Sequence, residues 1–517
     1  MAMATMMSRV LGLVREMVYS RFLGDGPIKG AFDYAFMIPN LFRRLLGEGA
    51  LTASFIPIFK KSEKESGEAR MWENANAVIS ALVIFSLVIV SLVIIGLSVA
   101  LEFTNPTDKI DLTLRLTRVM FPYMFFVCLA AIFMGMLNAR GFFFIPALGA
   151  TLLNVVMIST VVFITPRIEG GLDVKIFSLG YAVLAAGVAQ SFFQIPFLYR
   201  NGFRYRWVNP FSHPTVREVV IKMVPGTIGV AAFQLNMLVT QGLALFMSRD
   251  GESIIASFNY AVRLLEFPQG VFGVSVFTYL LSALSGLVGS KDYDGFRKTL
   301  RDGLHYLSFI NIFAVAMTLV MAEPIVRLIL EGGSFTSEST DRTSLALFCL
   351  APSLLAFSYV GSLARGFYAL GDVRTPMLVS IFCLLVNLIL AAVLIHPLRQ
   401  AGLAVANSIS SWINFGLLTF AMRKKLKKLE WGTLPNEMGQ MVLCSLVAAQ
   451  VSWALHHYIW EPQAVAADGL MPLIPRVLAV VVPMTAGGLV YWGLTSFLRI
   501  RATRELLDMV RSTVRKK

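Results

Sequence analysis

The chain has 517 residues, of which 56% are hydrophobic and 15% charged, with a mean hydropathy of +0.69. Apolar runs of about 20 residues recur along its length, the pattern of a polytopic α-helical membrane protein, which excludes soluble folds. The net charge of +14 comes from basic clusters between apolar runs, as the positive-inside rule requires, and so argues against nucleic acid as a partner.

The first run, 2–23, contains Arg9, Arg15 and Glu16 and lacks a small-residue cleavage site, so it is predicted to be a membrane span and not a signal peptide. An arginine at mid-bilayer costs about 2.5–3.5 kcal/mol on insertion scales, so such residues normally face a polar cavity. Snorkelling or packing between helices is the alternative, although both side chains start too deep for it to serve them equally. Six residues turn a helix by about 600°, so Arg9 and Arg15 point some 120° apart and line a broad wall. In the second run, 30–58, Pro39, Gly47 and Gly49 weaken the helix on either side of Arg43 and Arg44. Glu48, four residues after Arg44, offers it an intrahelical partner, which leaves Arg43 with a spare charge. Five runs follow at 74–101, 112–138, 143–165, 176–199 and 216–247. The eighth, 253–286, carries Arg263 three residues before Glu266, followed by Pro268 and Gly270, so an ion pair competes with ligand binding there. The remaining runs are 300–330, 343–364, 375–396, 401–422, 436–459 and 471–498, fourteen in all. Pro39, Pro225, Pro268 and Pro352 fall inside runs and are predicted kink points.

Lys and Arg in alternate loops divide 20 to 7 in favour of a cytoplasmic amino terminus, or 21 to 12 when charges just inside the span ends are added. Lys29 is among the seven on the opposite side. An even number of spans and the basic tail 499–517 place the carboxyl terminus in the cytoplasm as well. The sequence also repeats: Ala31-Phe-Asp-Tyr-Ala-Phe36 resembles Ser257-Phe-Asn-Tyr-Ala-Val262 at an offset of 226, and Ala139-Arg-Gly-Phe142 recurs as Ala364-Arg-Gly-Phe367 at 225. Six spans per copy insert the same way round, so the expected architecture is an all-α protein of two parallel six-helix lobes, 1–200 and 214–428, facing a central cavity. The two extra helices at 434–498 lie outside the repeat.

Cys128, Cys349, Cys383 and Cys444 are isolated in apolar runs and read as small core residues. The five histidines are scattered, so no metal site is expected. There is no GxxxxGK[ST] loop, and the interior acids Glu16, Asp33, Glu48 and Glu266 are too few for a carboxylate-based membrane enzyme, so neither an enzyme nor a cofactor is expected. Guanidinium forks bind phosphate and carboxylate oxygens bidentately, and a diphosphate or polycarboxylate is the natural complement of a surplus from Arg9, Arg15 and Arg43.

The segments Ser8-Arg-Val-Leu-Gly12, Arg15, Phe22-Leu-Gly24, Pro39-Asn-Leu-Phe-Arg-Arg-Leu45, Gly47-Glu-Gly-Ala50 and Phe55-Ile-Pro57 resemble the amino-terminal signature of the MurJ (MviN) family. So does Tyr260-Ala-Val-Arg-Leu-Leu-Glu-Phe-Pro-Gln-Gly-Val-Phe-Gly273. These are bacterial lipid II flippases of the multidrug/oligosaccharidyl-lipid/polysaccharide exporter superfamily. The resemblance implies fourteen helices, alternating access and movement of the undecaprenyl-diphosphate-linked peptidoglycan precursor across the bacterial inner membrane. A long polyprenyl tail would lose its contact with hydrocarbon in a polar cavity, so helices 13 and 14 are expected to offer it an apolar groove that includes Leu478–Val482. It carries the family's functional arginines onto Arg9, Arg15, Arg43 and Arg263, with Ser8, Asn40 and Glu266 beside them. Many relatives have an acid near the start of the second span where this chain has Gly30, and Asp33, nearly one turn later, is the candidate substitute. Partners implied are lipid II and membrane lipids; coupling to a monovalent ion (Asn236 and Asn387 being buried polar candidates) or to the membrane potential, and contact with cell-wall synthesis proteins, are left open. The alternatives are a flippase for another polyprenyl-diphosphate glycan, a cation-coupled drug exporter of the same superfamily and a membrane scaffold for cell-wall synthesis.

Overall fold

The computed structural model describes residues 2–45, 50–103, 107–248, 251–429, 432–460 and 473–505. Among them the structure is helical, and the only β pairing is an isolated bridge between Gly332 and Phe335. The helices are α1 (Ala2–Leu23), α2 (Pro27–Phe42), α3 (Ala50–Phe103), α4 (Asp108–Met120), α5 (Tyr123–Ala139), α6 (Phe144–Ser159) and α7 (Leu172–Arg200). They continue with α8 (Pro214–Met247), α9 (Ile254–Gly289), α10 (Tyr293–Leu330), α11 (Ser337–Ala369), α12 (Arg374–Lys425), α13 (Leu434–Leu455) and α14 (Leu473–Phe497).

Two of these are helical hairpins. Within α3, Gly67 has φ 81°, a left-handed value that favours glycine. Beyond it Asn74 bonds back to Ser62, and the Trp72 ring lies 5.5 Å from that of Phe59. Twelve residues of straight helix would hold Asn74 and Ser62 about 18 Å apart, so the chain must double back. Within α12 the break is at Arg399 (φ 53°), and Asn387 Nδ2 donates to Ser410 Oγ at 3.2 Å across it. Gly402 is required there, because a Cβ would come within 2.3 Å of the Leu394 carbonyl oxygen.

Proline alone does not take a residue out of helical angles here. Pro39 and Pro352 sit inside α2 and α11, helices with no non-helical residue, whereas α10 departs from helical angles at Met321, three residues before Pro324. A bend of 42° separates α4 from α5 at Phe121 and Pro122. The side chains of Pro225 and Pro268 lie outside the described residues.

By length and composition, eight stretches among the described residues are able to cross a membrane, or nine if the bent α4 and α5 form one span. Fourteen spans were expected. The difference arises because α3 and α12 each count once despite their reversals, because α8 and α9 qualify only as the shorter apolar pieces Phe233–Met247 and Val276–Gly289, and because α1, with its charged residues, is not among the qualifying stretches. The protein is a multi-pass, all-helical membrane protein.

The chain forms two compact units, Met1–Ala256 and Ser257–Lys517. In the first, Phe55, Phe59, Met71, Trp72, Phe121 and Phe203 form one core around the α3 hairpin. A second core, with Tyr19, Phe32, Tyr123 and Val183, joins α1 and α2 to α4, α5 and α7. The α8 helix, which the repeat assigns to the second copy, packs on α3 and α2 and falls in this first unit. In the second unit, Leu280, Phe296, Leu363, Phe367 and Leu418 join α9 to α12. The extra helices α13 and α14 pack on α10 through Phe309, Met317, Met441 and Tyr491, with the Tyr491 hydroxyl donating to the Phe309 carbonyl at 2.8 Å.

Candidate anion-binding site

In the first unit the charged residues of α1 and α2 meet around one aromatic ring. Arg15 and Tyr19 are four residues apart, so they share a helix face, and the Arg15 guanidinium carbon lies 5.6 Å from the Tyr19 ring centroid. Lys29 Nζ approaches the same ring at 5.8 Å from α2. Each cation has its own carboxylate. Arg15 Nη2 donates to Glu16 Oε1 at 2.6 Å, and Lys29 Nζ donates to both carboxylate oxygens of Asp33 at 2.6 Å. The pairs are sheltered: Arg15 is 9% exposed and Lys29 2%. Arg15 Nε is buried with no hydrogen bond, so the guanidinium keeps an unused donor.

Two expectations change. Lys29, counted from the sequence as a loop charge, lies inside α2 and is buried against Asp33. Arg15, counted in the cationic surplus, is compensated by its neighbour Glu16. Both follow from the cost of removing a charge from water, which only a close counter-ion offsets. Lys29 and Asp33 are an i,i+4 pair, so the sequence does carry their signal.

Position 30, where the resemblance led to an acid being expected, is crowded in this chain. A Cβ on Gly30 would lie 2.0 Å from Ser253 Oγ, and Ser253 is fixed by its own amide donating to the Asp25 carbonyl at 2.9 Å. A side chain at position 30 would require Ser253 to shift, and Asp33 is the acid on the next turn.

The other arginines of this unit lie toward the opposite ends of α1 and α2. Arg9 is half-buried, and the carbonyl of the adjacent Ser8 accepts from Asn154 Nδ2 of α6 at 3.3 Å. Arg43 follows the last residue of α2, and its Nε donates to Asn40 Oδ1 at 2.8 Å, so Asn40 orients the guanidinium. Arg44 is half-buried as well. Glu48, and with it the expected pair to Arg44, lies outside the described residues. In the second unit Arg263 Nη1 donates to Glu266 Oε2 at 2.8 Å, with both side chains about half exposed. An exposed pair contributes little, roughly 0–1 kcal/mol. Within their own units, Arg43 and Arg263 are each a planar cationic fork held by a local partner, the geometry by which a guanidinium meets an oxyanion.

The chain is of the all-helical, multi-pass membrane class, and solved structures share the fold. The chain superposes on a structure titled "Lipid II flippase MurJ, inward closed conformation" with a TM-score of 0.78 at 23% identity, covering 98% of this chain and 99% of that one. It superposes on an inward-facing MATE family transporter of the MOP superfamily with a TM-score of 0.64 at 17% identity, covering 81% and 95%. The family described as Lipid II flippase MurJ matches residues 19–467, and the chain belongs to that family. It is 32% identical over 430 residues to the lipid II flippase MurJ of Burkholderia cenocepacia, covering 81% of this chain and 82% of the relative. To the probable lipid II flippase MurJ of Bdellovibrio bacteriovorus it is 33% identical over 434 residues, covering 82% and 81%.

Proposed function

We propose that this protein moves lipid II from the cytoplasmic to the outer leaflet of the bacterial inner membrane. The observation that carries the reading is membership of the lipid II flippase family over residues 19–467. In this reading twelve of fourteen spans form two six-helix lobes that alternate access, the last two lie outside the lobes, and both termini are in the cytoplasm. Arg9, Arg43 and Arg263 hold the headgroup diphosphate and its acidic neighbours, because a guanidinium fork matches two phosphate oxygens at once. Asn40 and Glu266 orient two of these forks. Arg15 and Asp33 act from within neutral pairs, so they shape the wall and add little net charge. Outward-facing Leu443, Leu446, Leu478 and Val481 of α13 and α14 give a polyprenyl tail an apolar surface outside the polar path.

The test is depletion of the protein in its bacterium, followed by assay of the lipid-linked intermediates in each leaflet. Lipid II accumulating in the inner leaflet is the expected result. Accumulation of a different polyprenyl-diphosphate glycan would reassign the substrate, and no accumulation would favour the scaffold reading.

A further inference from the structure

The repeated tetrapeptide Ala-Arg-Gly-Phe places an arginine near the end of α5 and another near the end of α11, and the two are used differently. Arg140 Nη1 donates to Glu63 Oε1 at 2.6 Å, and its Nη2 meets Glu68 and, at 3.4 Å, the Asn201 carbonyl. The guanidinium carbon also lies 5.4 Å from the Trp72 ring centroid. Its charge is committed to two carboxylates. At an offset of 226 the residues matching Glu63 and Glu68 are Gly289 and Asp294, and the Asp294 carboxylate pairs with Arg297.

Arg365 therefore lacks the acids that hold Arg140. Among the described residues it has no carboxylate and no hydrogen-bond partner. Two rings lie against it instead, with the guanidinium carbon 5.4 Å from the Phe277 ring centroid and 5.8 Å from that of Tyr368. The place of the Phe277 ring is built into the backbone: a Cβ on Gly361, one turn before Arg365, would come within 2.5 Å of it. A cation–π contact is attraction to the ring's quadrupole and does not satisfy the guanidinium's five N–H donors as a carboxylate would. The side chain is half-buried, four residues before the end of a helix able to cross the membrane, and that is the depth of lipid headgroups.

We propose that Arg365, supported by Phe277 and Tyr368, is a binding site for the phosphate of a lipid headgroup. The shared chemistry is a phosphoester oxyanion received by the guanidinium edge. Its source is either an anionic phospholipid of the bilayer or the diphosphate of a polyprenyl lipid.

Full-length protein in maltoside micelles, which carry no phosphate, is titrated with phosphatidylglycerol in one arm and undecaprenyl diphosphate in the other, with binding read by native mass spectrometry. Arg365→Gln is expected to weaken one of the two roughly tenfold or more, the effect of losing a charge-assisted contact. Arg365→Lys recovers only part, because it keeps the charge without the fork, and Phe277→Leu lies between. Loss confined to the first arm identifies a bilayer phospholipid, and loss confined to the second identifies the transported class. Unchanged affinity for both lipids in a folded Gln variant overturns the site. Should the Gln variant fail to fold, full wild-type affinity in a folded Lys variant overturns it equally. Wild-type protein that ignores undecaprenyl diphosphate while its phosphatidylglycerol binding depends on Arg365 would count against the proposed transport and leave this site standing.

Discussion

Lys29 gives its ammonium to both carboxylate oxygens of Asp33 at 2.6 Å while only 2% of the lysine is exposed. Breaking a buried pair from one side strands the other charge, which costs about 3–5 kcal/mol, whereas removing both is far milder. Lys29→Met should therefore lower the unfolding temperature markedly, and Lys29→Met with Asp33→Asn should recover most of the loss. Thermal unfolding in detergent checks this, and equal melting of the single and double variants would refute the pairing.

Gly30 against Ser253 gives a second expectation. Gly30→Ala should reduce the amount of folded protein in the membrane, since the added carbon would lie 2.0 Å from Ser253 Oγ. Ser253→Gly in the same chain should restore it. Immunoblots of membrane fractions provide the readout, and an undiminished Gly30→Ala level would show that the helix shifts easily.

For the arginines, alanine at Arg9 or Arg43 should weaken binding of the lipid diphosphate about ten- to hundredfold, since a charge-assisted contact contributes about 1.5–3 kcal/mol. Lysine should rescue only in part. Asn40→Ala should give a smaller defect than Arg43→Ala, because it removes the bond that aims the fork at 2.8 Å and leaves the fork itself. Complementation of a flippase-depleted strain, with protein levels matched, ranks the variants. Full growth from Arg9→Ala and Arg43→Ala would sink the anion-binding role.

The loop between α11 and α12 carries a pH-dependent tie. The Lys425 ammonium, bonded to Asp372, and the Thr375 amide hold this carboxyl down at about 2, below the ordinary 3.8. A depressed acid stabilises the fold above its unfolded pKa and loses that contribution as pH falls through the folded one. Wild type should therefore out-melt Asp372→Asn by a constant margin above about pH 4, and the margin should vanish between about pH 4 and pH 2. Lys425 is 38% exposed, so the margin should be small, about 1 kcal/mol. A margin that grows on acidification would contradict the assignment.

Some of this was legible in the chain itself. The apolar runs found the helices because a membrane helix satisfies its own backbone and needs only a local run of apolar side chains. The ends of α1 and α7 fall within a few residues of those runs. The Arg43 and Asn40 bond and the Arg263 and Glu266 pair join residues three apart, so helix periodicity alone brings them together. Tertiary structure decided what depends on helix rotation and on distant neighbours. No local pattern says that Ser253 fills the space at Gly30, that Tyr19 of α1 receives Lys29 of α2, or that α8 packs with α2 and α3. The two Ala-Arg-Gly-Phe segments read identically, yet one arginine meets two glutamates and the other two rings. A side chain's partner is set by which helix face the packing turns toward it, and packing is a property of the whole bundle.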